Sequence, residues 1–158
     1  MLTIRSPDFE NLGEIPQLHT CEGKDVSPAL EFAGAPQGAK SLALVVHDPD
    51  APDPAAPRMD YVHWVLYNLP PDCTGLPRGV AETALPGRAL QGLNDWKKTG
   101  YGGPCPPAGD HPHRYFFTVF AVSTDALPVK ADTSAAVIGF QLNFNTLAKA
   151  AIVGLYKR

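Results

Sequence analysis

The residue types most able to do chemistry in this chain of 158 residues are histidines set beside acidic and aromatic side chains. His47 and Asp48 close one apolar run, His63 lies inside the aromatic segment YVHWVLYN, and His113 directly precedes Arg114 and Tyr115. A carboxylate next to an imidazole bonds one ring nitrogen, fixes the tautomer and raises the pKa. A cationic or donor-rich face is then free for an anion. The stretch Gly102-Gly103-Pro104-Cys105-Pro106-Pro107 adds a stiff loop that backbone or ligand can approach closely. Taken singly, each residue also has a purely structural explanation. Asp48 and Asp50 can cap a turn, His63 can be a satisfied core histidine, His111 and His113 can be solvated loop residues, and Tyr115 can be a core aromatic with its hydroxyl paired.

For these side chains to meet, the segments that carry them must run side by side. Ser41 to His47, SLALVVH, is a short valine-containing apolar run that stops at DPDAPDP, and it predicts a strand. Tyr61 to Asn68 predicts a second strand, stopped by Leu69-Pro70-Pro71. Arg114 to Val122, RYFFTVFAV, gives the strongest strand signal, with Phe117, Val119 and Ala121 on one face and Phe116, Thr118 and Phe120 on the other. Beyond Pro128 the period changes. Asp132, Thr133 and Ser134 can cap a helix, and Val137, Phe140, Phe144, Leu147 and Ala151 recur at three and four, which predicts one helix over roughly residues 133 to 148. Ile152, Val153 and Tyr156 favour a last strand, and 49 to 57 reads as an ordered loop or inserted turn.

The composition, with 17 Pro and 14 Gly, predicts short strands and ordered loops in one globular domain spanning 1–158. A formal net charge of −3 argues against a protein that tracks nucleic-acid phosphates. No window approaches the apolar length of a membrane span and no leader-like run opens the chain, so a cytoplasmic protein without integral membrane association is expected. Cys21, Cys73 and Cys105 form an odd set without CxxC spacing, from which we expect three reduced thiols.

The motifs in combination say more than the residues do. DPDAP at 48–52, HWVLYNLP at 63–70 and GYGGPCPPAGDHPHRYFFTVFA at 100–121 together resemble the signature of the phosphatidylethanolamine-binding proteins, especially their bacterial, Raf kinase inhibitor-like branch. IPQLHTCEGKDVSPAL at 15–30 is similar to the same branch, so the resemblance covers nearly the whole chain. It implies a mainly β fold, an antiparallel Greek-key sheet sandwich with few short helices, and a pocket at one end of the sheet for phosphate-like or carboxylate anions. Carried over by motif, the pocket residues are Asp48, His63, Gly103, Pro104, His113 and Tyr115, with Tyr61 a seventh candidate. Gly103 and nearby backbone donors contact the anion, the two histidines line the pocket, Asp48 orients an imidazole and Tyr115 offers a hydroxyl. The chain ends at Tyr156-Lys157-Arg158 without the C-terminal helix of the mammalian members, so kinase inhibition does not transfer with the motifs.

Two function classes follow. The first is a non-enzymatic module that binds a small anionic ligand or phosphorylated group, with no cofactor and with homodimerisation as a further expectation. The second is a hydrolase or metal-dependent enzyme using Asp48, His63 and His113, with Cys105 as an additional candidate. Neither a G-x-S-x-G element nor an H-x-x-x-H spacing accompanies these residues, which favours the first class.

Overall fold

A computed structural model describes residues 1–158. In chain order its elements are β1 (Thr3–Arg5), β2 (Gly13–Glu14), β3 (Leu30–Ala33), β4 (Ser41–Ala51), β5 (Met59–Leu69), β6 (Gly75–Leu76), β7 (Leu90–Gln91), β8 (His113–Val122), α1 (Ala135–Asn145) and β9 (Thr146–Tyr156). The three strands expected around the chemistry are all present. All three run further than the apolar patterns reach, β4 furthest, through Pro49 and Asp50 to Ala51. Three of the nine residues read as a loop, Pro49 to Ala51, are therefore strand.

The large sheet has the order β2-β9-β8-β4-β5-β7, and a smaller sheet has the order β1-β3-β6. All pairings are antiparallel except the short β2–β9 contact. The two sheets bury one core between them: Leu2, Ile4, Leu30, Phe32 and Leu76 from the small sheet meet Leu42, Leu44, Val46, Trp64, Leu66, Phe117, Val119 and Ala121 from the large one. Apolar area removed from water on both inner faces is what joins such layers. The other face of the large sheet carries a second cluster, in which Ala43, Val65, Tyr67 and Val122 pack against Ile138 and Leu142 of α1.

The helix differs from its expected form. Ser134 caps it, its side chain accepting from the Val137 N–H at 3.3 Å, but it is shorter than 133–148 and gives way directly to β9 at Thr146. The residues whose spacing predicts it also point the wrong way for a core stripe. Ile138 and Leu142 are buried, whereas Val137, Phe140 and Phe144 are exposed. The helix is apolar on both faces, so periodicity detects it but does not choose the buried side.

The cysteine expectation is overturned. Cys21 and Cys105 form a disulfide across a sequence separation of 84, and only Cys73 is free. Spacing in sequence carries no information on this pair, because the contact is made by two loops that tertiary packing brings together.

Candidate functional site

In β4 the period of two places Leu42, Leu44 and Val46 on the core face, and Asp48 and Asp50 continue that face beyond the end of the core. In β8 the same alternation carries Phe117 and Val119 in the core and sets Tyr115 and His113 beside Asp48. β5 needs a correction to its register to contribute. Val46 pairs with Trp64 but the next residue, His47, pairs with Val62, so His63 is the extra residue of a β-bulge. A bulge turns the following side chains to the opposite face. Tyr61 and His63 thereby join the side of the sheet that Trp64 occupies, instead of following Val65 and Tyr67 toward α1.

These strand ends enclose a cavity of about 320 Å³. Asp48, Tyr61, His63, His113 and Tyr115 line it, together with Trp96, the β4–β5 residues Ala51, Pro52 and Met59, and Cys105, Pro106 and Pro107 of the proline loop. Gly103 and Pro104 stand behind that wall. The Gly103 N–H is already committed to Asp25 Oδ1 at 2.7 Å, and the Pro104 carbonyl accepts from Cys21 N–H at 3.1 Å. A Cβ at Gly103 would collide with the His19 carbonyl. The close approach that the glycine permits is to the 19–25 segment.

The surroundings of the two histidines push their pKa values in opposite directions. His113 is almost fully buried and bonds Asp48 Oδ2 through Nδ1 at 2.7 Å and Asp110 Oδ2 through Nε2 at 3.2 Å. Burial disfavours its charge and is the largest single influence, but the two carboxylates together outweigh it and its pKa is raised. His63 donates from Nδ1 to the Gly102 carbonyl at 2.8 Å, and burial dominates there, pushing its pKa down. In the neutral ring Nε2 is then an acceptor. Aromatic edges surround the imidazole: Tyr61, Trp96 and Tyr115 lie 5.5, 4.9 and 5.3 Å away between ring centroids. The hydroxyls of Tyr101 and Tyr156 are engaged by His19 and Glu22, which leaves Tyr61 and Tyr115 as the hydroxyls on the cavity wall. Burial raises the pKa of Tyr115 far above its ordinary value and that of Tyr61 to a smaller extent, so both are donors.

Asp48 and Asp50 serve the turn as well as the site. Asp48 Oδ1 accepts the Asp50 N–H at 2.7 Å, and Asp50 in turn holds the Arg114 guanidinium at 3.0 and 2.9 Å. That bidentate pair pulls the Asp50 pKa down and locks β4 to β8 just outside the cavity. No three His, Cys, Asp or Glu side chains converge as a ligand set for a metal ion.

Several contributors escape sequence reasoning. Trp96 belongs to the loop GLNDWKKTG, where Asn94 Oδ1 accepts the N–H groups of Trp96 and Lys98 at 3.0 and 3.2 Å and so fixes the indole. A lone tryptophan in a polar loop was the available signal. Asp110 and the disulfide-bonded Cys105 offered none beyond their place in the proline-rich segment.

A mainly β architecture of two sheets is what the resemblance of the motifs implies. The chain belongs to the phosphatidylethanolamine-binding protein family, whose model matches residues 5–157. It is 40% identical over 158 residues to a UPF0098 protein of Aquifex aeolicus, covering 100% of this chain and 90% of that one. The crystal structure of Escherichia coli YbcL, described as a new member of the mammalian PEBP family, superposes with a TM-score of 0.91 at 38% identity, over 99% of this chain and 98% of that chain. A phosphatidylethanolamine-binding protein homologue from Chlamydia trachomatis follows at 0.87 and 32% identity, over 99% and 97%. No helix is long and apolar enough to cross a membrane.

Proposed function

We propose that this chain is a binding module for a small anionic group, a phosphate monoester or a carboxylate, seated in the cavity at the ends of β4, β5 and β8. The observation that carries this is the pairing of a buried imidazole flanked by the Asp48 and Asp110 carboxylates with a second one bonded to the Gly102 carbonyl, inside a cavity that also presents two tyrosine hydroxyls. A phosphate monoester near neutral pH carries negative oxygens and, in its monoanion, one P–OH. The hydroxyls of Tyr61 and Tyr115 supply donors to the oxygens, His113 adds Nε2–H once the anion displaces the Asp110 carboxylate from it, and His63 Nε2 accepts from the P–OH. Proline and aromatic walls keep the groups preorganised, which lowers the ordering cost of binding. The donors are side chains, since the Gly103 N–H is spent on Asp25. A cytoplasmic location belongs to the same proposal.

A phosphate titration followed by NMR tests it. His63, His113 and Tyr115 resonances move together, and His113→Ala weakens the response by roughly ten-fold or more, the cost of removing one charge-assisted hydrogen bond. Shifts confined to surface lysines would rule the cavity out as the anion site.

A further inference from the structure

The Cys21–Cys105 disulfide stands where the cavity meets its neighbour. Cys105 lines both the candidate anion cavity and an adjoining cavity of about 400 Å³, and Cys21 lines the second one only. Both cysteines are exposed. The wall segment to which Cys105 belongs has few other means of attachment. Pro104, Pro106 and Pro107 have no N–H, so the segment's backbone can be held almost only through its carbonyls. Three such contacts exist: from Cys21 N–H to Pro104 at 3.1 Å, from Arg158 Nε to Pro106 at 2.6 Å and, within the loop itself, from Asp110 N–H to Pro107 at 3.3 Å. The first of these joins the same two loops as the disulfide. The loop upstream is fixed independently, by Asp25 on Gly103 and by His63 on Gly102.

We propose that Cys21–Cys105 is a thiol-exchange site through which a dithiol reductant releases the Cys105–Pro107 wall and lowers the affinity of the anion cavity. The thiolate of the reductant attacks one Sγ, the S–S bond breaks, and the other cysteine leaves as a thiolate that takes up a proton. The second thiol of the reductant resolves the mixed disulfide. The reductant is oxidised to a disulfide and the protein gains two electrons and two protons as two cysteine thiols. Cys73 takes no part: it packs against the core, its thiol donating to the Gly75 carbonyl at 3.4 Å, remote from this pair. In a reducing compartment an exposed disulfide of this kind is in exchange with the thiol pool and not a permanent staple.

The exchange stands by itself, whereas its effect on phosphate rests on the proposed anion site. The experiment treats the full oxidised chain with dithiothreitol under native conditions, counts thiols by mass, and titrates both redox forms with inorganic phosphate by NMR. Expected are two added hydrogens, a retained folded spectrum, faster amide exchange at Cys21, and a phosphate Kd raised roughly ten-fold by the ordering cost restored to the wall. Bound phosphate should also slow the reduction, by reciprocity of linkage. The double variant Cys21→Ser with Cys105→Ser should reproduce the reduced form without reductant. Equal phosphate affinity of the two forms, or reduction only in denaturant, overturns the proposal. If the oxidised protein binds no phosphate, the anion-site reading fails, and Cys21 amide exchange still decides whether reduction frees the loop: unchanged exchange overturns that too.

Discussion

At the scale of single residues, the two buried imidazoles give opposite pH signatures. The raised pKa of His113 contributes stability that is present below the ordinary imidazole value of 6.5 and is lost as pH rises through the raised value. The lowered pKa of His63 contributes stability that is present above 6.5 and is lost as pH falls through the lowered value. Urea midpoints across the neutral range should therefore decline on both sides. His113→Asn should flatten the alkaline side and His63→Asn the acid side; unchanged limbs would show that neither ring titrates as its neighbours dictate. Asp110 offers a second test. Its carboxylate competes with an incoming anion for Nε2 of His113, so on the acid side of neutrality, where Asp48 still favours the charged ring, Asp110→Asn should tighten phosphate binding by roughly three-fold or more. Weaker binding in that variant would mean that Asp110 helps the anion instead of opposing it.

At the scale of elements, the bulge in β5 and the inverted stripe of α1 matter most. The β5 bulge aims His63 at the cavity, and strict alternation of YVHWVLYN would have sent it toward α1 with Val65 and Tyr67. In α1 Ile138 and Leu142 are buried, Ile138 with no exposed surface, and Phe144 is 73% exposed. Ile138→Ala should cost about 2–4 kcal/mol in denaturant unfolding, whereas Phe144→Ser should fall within about 0.5 kcal/mol of the parent. The reverse ranking would place the helix on its other face.

At the scale of the whole molecule, the disulfide ties the start of the chain to the loop before β8. In the loop-closure picture, a separation of 84 residues constrains the unfolded chain by about 4.5 kcal/mol. Reduction should lower Tm by about 10 °C, measured by calorimetry with and without reductant. A Tm that does not move would show that the two loops are held equally well by Asp25, Tyr101 and Arg158 alone.

The sequence by itself determined the strands that carry Asp48, His63, His113 and Tyr115, because period-two burial and β-branched or aromatic residues are local properties. Its ordered motifs also determined the family, and with it the mainly β sandwich. Three things waited for tertiary structure. The bulge at His63 depends on register against β4, which no single strand encodes. The role of Gly103 depends on its neighbour, and packing supplied Asp25 and His19 where the motif suggested a ligand. The disulfide depends on two loops far apart in sequence whose approach is fixed only when both sheets close on one core. The imidazole–carboxylate pair is likewise a contact across strands: His47 and Asp48 are adjacent in sequence, yet Asp48 serves His113, because neighbours along a strand point to opposite faces.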